Sequence, residues 1–189
     1  TLWYELTQNL YKSEQIHFIN RIDRETSGIV LIAKDPETAS MFTEHRMIKL
    51  KRYQALVFGD FPDEFCAEGY IFNDNSIKND HPSKVRKKRI FSENEPEFKS
   101  ETCKTLFRKI DSFSVKTAEG LPDRITLVEA DLFTGRMHQI RASLCSLGFP
   151  LAGDKLYGPD ESIFIRFIKD MMSDSDRELL LLSRQALHS

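Results

Sequence analysis

Three stretches of this chain alternate apolar and polar residues with a period of two, and together they restrict the fold more than any other feature. In 53–58, Tyr53, Ala55 and Val57 fall on one face; 102–110 and 124–132 have the same strand-like character. An uninterrupted apolar run, Ile29 to Ala33, reads as a further, central strand. Helical spacing occurs over Leu2–Tyr11, where Leu2, Leu6 and Leu10 with Trp3 form a face expected to pack on the sheet. Asp35-Pro36-Glu37 is a helix start with Asp35 as N-cap, continuing to about Ile48 with Ala39, Phe42 and Met47 inward. Met137–Leu147 is a helix stopped by Gly148, with Ile140, Leu144 and Leu147 on its apolar side, and a last helix covers 161–172. Residues 60–69 read as a loop and 73–96 as a long polar excursion. Strands outnumber helices and do not alternate with them. The expected architecture is therefore α+β: a mixed, largely antiparallel sheet with flanking helices.

At 189 residues, 40% hydrophobic and 30% charged, the chain suits one soluble domain spanning 1–189 with a core of its own. No apolar stretch has the length of a membrane span, and the first residues lack the pattern of a signal peptide. Cys66, Cys103 and Cys145 form no CxxC pair, which suits a reduced, cytoplasmic setting. The five His have no ligand spacing and so give no zinc signature. A net charge of −2 means that binding to nucleic acid would need a localised basic face.

Asn20–Asp35 places a carboxylate, Asp23, between Arg21 and Arg24, ahead of Thr26-Ser27-Gly28. Such an acid is either structural ion-pair glue or a nucleophile. A second basic segment, Thr134–Gly158, runs from a Gly-anchored turn into a helix bearing Arg136, His138 and Arg141. His138 and Arg141 are three apart and share a face, while Ile140 points to the core. A planar guanidinium such as Arg141 can bind a buried carboxylate bidentately and keep it ionised; a solvated basic helix face is the alternative.

Taken with Lys51–Gly59, these segments resemble the RluA-type pseudouridine synthases. The hallmark H-R-L-D-x-x-T-S-G is matched by Asn20-Arg21-Ile22-Asp23 and Thr26-Ser27-Gly28. The K-x-Y-x-A-x-V-x-G strand is matched at Lys51, Tyr53, Ala55, Val57 and Gly59. T-G-R-x-H-Q-[IL]-R and G-D-x-x-Y-G are matched at Thr134–Arg141 and Gly153–Gly158. The resemblance implies an isomerase acting on uridine in ribosomal or transfer RNA, without metal or cofactor. It implies Asp23 as nucleophile, Arg141 as its ion-pair partner, Tyr53 against the uracil ring with a further duty in proton transfer, and Ile140 as the apolar floor. Arg21 would enter the RNA stack as the target nucleotide flips out. Arg24 and Arg136 would serve either in ion pairing or in phosphate contact, and His138 is a further substrate-binding candidate.

Asn20 stands where the family has His. Members also carry an upstream strand with Lys-Pro-x-Gly and a β segment after Leu-His. Against that pattern Thr1 begins late and Ser189 ends early, so the chain reads as a fragment of a longer enzyme. Lys84-Val85-Arg86-Lys87-Lys88-Arg89 has five basic residues in six positions. It is either a solvated loop or a contact to the RNA backbone through Lys84, Arg86, Lys87 and Lys88. Two rivals to an RNA isomerase are an RNA-binding assembly factor without turnover and an Asp-dependent glycosidase, which would need a second carboxylate that nothing in the sequence identifies. No protein partner and no oligomeric state are indicated.

Overall fold

The computed structural model describes residues 2–10, 16–44, 47–48, 50–74 and 88–189. Its period-two segments pair into one six-stranded antiparallel sheet. The strands are β3 (Lys51–Phe58), β4 (Glu64–Asn73), β5 (Arg89–Ser92), β6 (Glu101–Ser114), β7 (Arg124–Leu132) and β8 (Leu187–His188), in the order β5-β4-β6-β7-β3-β8. A separate two-stranded sheet joins β1 (His17–Phe18) to β2 (Ile32–Ala33). The α+β architecture expected of the sequence is the one that forms.

Alternation sets the core. Ala55 and Val57 on β3, Ala67 and Ile71 on β4, Cys103 and Phe107 on β6, and Val128 and Ala130 on β7 are buried in one cluster. Helix α3 (Gln139–Ser146) closes that face and packs over β4 and β5. It contributes Ile140 and Leu144, each worth roughly 1.5–3 kcal/mol on full burial. Gly148, at φ 85°, ends the helix region as the sequence indicates. A β-bulge at Ile110 breaks the register between β6 and β7, and the extra residue turns its side chain to solvent.

Several local expectations give way to tertiary structure. The run 29–33 is no central strand: Ile29 is 64% exposed and only Ile32 and Ala33 pair. Its backbone is taken by other partners, since the Asn20 side chain accepts from the Leu31 N–H at 2.7 Å and donates to the Ile29 carbonyl at 3.0 Å. Residues 64–69, expected in a loop, are the first half of β4, and 89–92 form β5 within the expected excursion. Leu2–Glu5 is α-helical (α1) and Leu6–Leu10 continues as a π-helix, but Leu2, Trp3 and Tyr4 are exposed rather than seated on the sheet. Helix α2 (Pro36–Glu44) has the Asp35 cap, whose carboxylate accepts from the Thr38 N–H at 2.7 Å, but Met47 is exposed beyond its end. The helix expected over 161–172 is the shorter α4 (Ser162–Ile168), and a further helix, α5 (Asp174–Leu180), follows it, started by a capping box between Ser173 and Asp176.

The chain end positions the Asp23 loop. β8 pairs with β3 through Gln54–His188 and Ala55–Leu187. On its other side Ser27 N–H donates to the Leu187 carbonyl at 3.1 Å, and Ser189 N–H donates to the Ser27 carbonyl at 2.9 Å. Gly28, at φ 119°, is required here, because a Cβ would lie 2.3 Å from the Ser189 carbonyl oxygen. Thus a few residues at the end of the chain bind Thr26-Ser27-Gly28 to the sheet edge.

Candidate active site

Asp23 and Arg141 are 118 residues apart in sequence, and the fold joins them: Arg141 Nη1 donates to Asp23 Oδ2 at 2.7 Å. The rest of the guanidinium is held behind by a second acid. Arg141 Nε and Nη2 donate to the two carboxylate oxygens of Asp154 at 2.6 and 2.9 Å. Asp154 is fully buried, and its Oδ1 also accepts from the Leu156 and Tyr157 N–H groups at 2.9 and 3.0 Å. The Tyr157 ring lies against the guanidinium, 4.8 Å from centroid to Cζ. Three donors of Arg141 are thereby aimed, two of them at Asp154 and one at Asp23.

These contacts set the protonation states. Burial by itself would raise the Asp154 carboxyl, but the paired Arg141 guanidinium and the two backbone N–H groups outweigh it and hold the acid below its ordinary range. Burial would likewise lower Arg141, and Asp154 with Asp23 reverses that, keeping the cation charged. Burial pushes the Tyr157 hydroxyl up, so it keeps its proton. One guanidinium therefore serves two carboxylates, the buried Asp154 and the more exposed Asp23.

The first turn of α3 is built by Gln139. Its Oε1 accepts from Thr134 Oγ1 and from the Arg136 N–H, both at 2.9 Å. Its Nε2 donates to the Lys104 carbonyl at 3.1 Å and to Thr105 Oγ1 at 2.8 Å. This buried amide fastens the turn to β6 and fixes the start of the helix. His138 caps the helix in the left-handed region at φ 58°, with Nδ1 2.9 Å from the Tyr157 hydroxyl and Nε2 3.9 Å from Asp23 Oδ1.

A cleft of about 80 Å³ opens at this point, lined by Arg21, Asp23, Tyr53, Leu132, Arg136, His138, Ile140 and Arg141 among others. The structure thus brings together seven residues singled out in the sequence: Asp23, Tyr53, Arg141, Arg21, Ile140, Arg136 and His138. Two larger depressions, about 520 Å³ beside Lys116 and Arg177 and about 420 Å³ beside Glu68 and Lys104, hold no such convergence of acid, guanidinium and aromatic ring. The smaller cleft is the chemically equipped one. Arg21 is exposed at its rim, and Arg24 is exposed outside its lining. Among the described residues neither forms an ion pair, so Asp23 is not tied to its sequence neighbours. Arg136 is partly engaged, with Nη1 3.4 Å from Glu101 and Nε donating to the Thr102 carbonyl at 3.0 Å.

Lys88 departs from the expectation of a free RNA contact. Its side chain is buried and its ammonium is paired with Glu161, so it is occupied within the protein. Lys84, Arg86 and Lys87 lie outside the described residues. Sequence reasoning did not single out Asp154, Tyr157 or Gln139, nor the pair Lys155–Glu25, where the buried ammonium donates to both carboxylate oxygens at 2.8 and 2.9 Å. The motif Gly153–Gly158 marked the first two positions, but an Asp after Gly reads locally as a turn former. Among the described residues no group of three His, Cys, Asp or Glu side chains is arranged to hold a metal ion.

A family model described as RNA pseudouridylate synthase matches residues 2–146. An uncharacterized RNA pseudouridine synthase of Chloroflexus aurantiacus is 30% identical over 173 residues, 90% of this chain and 43% of its own length. The dual-specificity RNA pseudouridine synthase RluA of Vibrio parahaemolyticus is 31% identical, covering 86% of this chain and 58% of its own. The mitochondrial tRNA pseudouridine(32) synthase of Saccharomyces cerevisiae is 33% identical over 75% of this chain and 28% of its own. The chain spans about half the length of the curated relatives it matches. Among solved structures, human RNA pseudouridylate synthase domain containing 1 superposes with a TM-score of 0.69 at 21% identity, covering 100% of this chain and 66% of that one. That likeness shows a shared fold.

Proposed function

The chain belongs to the RNA pseudouridylate synthase family, and from that premise we propose that it isomerises uridine to pseudouridine within RNA, with Asp23 as nucleophile. The observation that carries this reading is the 2.7 Å bond from a buried, fully oriented guanidinium to an acid that faces a cleft beside Tyr53. Arg141 holds Oδ2 and leaves Oδ1 unengaged by it. An ionised carboxylate in that pose can close on the ribose C1′ as the C1′–N1 electron pair leaves with the uracil. The detached ring turns, C5 forms the new bond to C1′, and the carboxylate regains its electron pair. The C5 proton is then lost, N1 gains one, and the sum is an isomerisation. Tyr53, set by β3 at the cleft, packs the ring and relays the C5 proton, its hydroxyl accepting that proton as it passes its own to solvent.

Arg21 on the rim fills the space in the RNA stack vacated by the flipped nucleotide. Relatives named for ribosomal large-subunit and transfer RNA substrates support RNA of those classes as the substrate. Asp23→Asn is expected to abolish release of the C5 proton from uridine-labelled RNA while RNA binding persists. Turnover at an unchanged rate in Asp23→Asn would remove the nucleophile assignment.

A further inference from the structure

Resting on that reading, we propose that His138 is a catalytic hydrogen-bond donor, a neutral imidazole that presents Nε2–H to the cleft and holds a carbonyl oxygen of the detached uracil. Three observations converge on it. The backbone of His138 sits in the left-handed region, φ 58° and ψ 21°, which a non-glycine residue adopts at a cost of roughly 1 kcal/mol. Such strain is retained where the surroundings demand a particular side-chain position. The ring, edge-on to Tyr157 at 5.6 Å between centroids, is fixed at its inner nitrogen and opens to the cleft at its outer one.

The hydrogen-bond network assigns the tautomer. The buried Tyr157 hydroxyl accepts from the Arg89 N–H at 2.8 Å and lies 2.9 Å from His138 Nδ1. Among the described residues no other acceptor reaches that hydroxyl, and a buried O–H left without one is costly. Its proton is therefore given to Nδ1, and the imidazole proton resides on Nε2. Nε2 is 3.9 Å from Asp23 Oδ1, too far for a direct bond but near enough that donor and nucleophile address one nucleotide. Burial, helped by the Arg141 cation and opposed by Asp23 and Asp154, lowers the proton affinity of the ring and keeps it neutral at neutral pH. A neutral donor can stabilise the anion without pairing with Asp23. When the C1′–N1 pair departs with the uracil, negative charge spreads onto O2 and O4, and a preset donor gains strength as that charge develops. No proton is transferred in this role.

Two substitutions separate the donor from the scaffold. His138→Asn tolerates the left-handed backbone and places Oδ1 near the position of Nδ1, but has no atom at the Nε2 position. His138→Gln can extend an amide N–H to that position. The assay is tritium release from total RNA of cells lacking the gene, labelled with uridine tritiated at C5, together with filter-retained RNA binding. His138→Asn is expected to lower kcat by about 10²–10³-fold, the usual cost of losing one such donor. RNA affinity should stay within about threefold and His138→Gln within about tenfold of the parent kcat, as befits an interaction made only during turnover. His138→Asn with the parent kcat, or an equal loss in both variants, would overturn the donor role. Failure of the underlying reading has a different signature: no release by the parent protein, or undiminished release by Asp23→Asn.

Discussion

Asp154→Asn tests whether the arginine at the centre of the cleft is held from behind or from the front. The substitution keeps shape and removes charge from a side chain with no exposed surface, whose two oxygens accept both Nε and Nη2 of Arg141. The Arg141 side chain is only 10% exposed, so the variant leaves a buried cation with one remaining acid. Breaking a buried pair from one side costs about 3–5 kcal/mol, mostly the desolvation of the orphaned charge. For a chain of this size each kcal/mol lowers the melting temperature by about 2–4 °C, so a fall of roughly 6–20 °C is expected. Asp23→Asn is the control. Its side chain is 30% exposed, cleft water can reach Nη1, and Asp154 still pairs the guanidinium; the expected cost is below about 1 kcal/mol. Urea unfolding followed by far-ultraviolet circular dichroism measures both, and is preferable to fluorescence because the single tryptophan, Trp3, is exposed in the folded chain. Equal losses in the two variants would refute the assignment of Asp154 as the structural anchor.

Acid stability carries a second signature of the same site. The His138 imidazole is lowered in the folded chain by burial and Arg141, so below the ordinary value of about 6.5 the unfolded chain binds a proton that the folded chain refuses. Stability should therefore fall as pH drops from that value towards the lowered one, and His138→Asn should flatten this part of the profile; an identical slope in the variant would disprove it. Asp154 acts in a lower window, its contribution being complete above the unfolded carboxylate value and lost as pH falls through the lowered folded one. Arg21→Ala should leave unfolding within about 0.5 kcal/mol, since the side chain is exposed. Because the variant also removes a cation that enters the RNA stack, the logarithmic salt dependence of RNA binding should drop by about 0.7. An unchanged slope would remove Arg21 from the charge contacts.

What the sequence disclosed about the fold follows from how far each signal reaches. Alternation in 53–58, 102–110 and 124–132 reports burial of one face, and those strands appear with boundaries near the expected ones. The Asp35 cap and the Gly148 stop are local chemistry and were equally legible. A continuous apolar run carries no such directional content. Ile29–Ala33 looked like a central strand, yet the sheet edge is completed by Leu187–His188 instead, and Asn20 and Ser189 take up the backbone of the run. Residues 64–69 mix Glu64, Cys66, Glu68 and Gly69 with apolar neighbours; only pairing with β6 makes that segment a strand. Strand partners are long-range facts, and a window of ten residues does not contain them.

The same distinction governs the cleft. Asp23 was visible as an acid between two bases, and proximity in sequence favoured those bases as partners. In the folded chain neither Arg21 nor Arg24 pairs with it among the described residues, and the acid is bound by an arginine contributed by α3. A pairing at a separation of 118 residues leaves no trace in local composition; it was anticipated only through the resemblance of three separated motifs. Resemblance, in turn, named the guanidinium but not what orients it. A guanidinium held by Asp23 alone would swing with a side chain that must move during turnover. Held by Asp154, which two backbone N–H groups fix in turn, and by the face of Tyr157, it can remain still while Asp23 forms and releases a bond. The buried acid is thus the condition under which the exposed one can be a nucleophile.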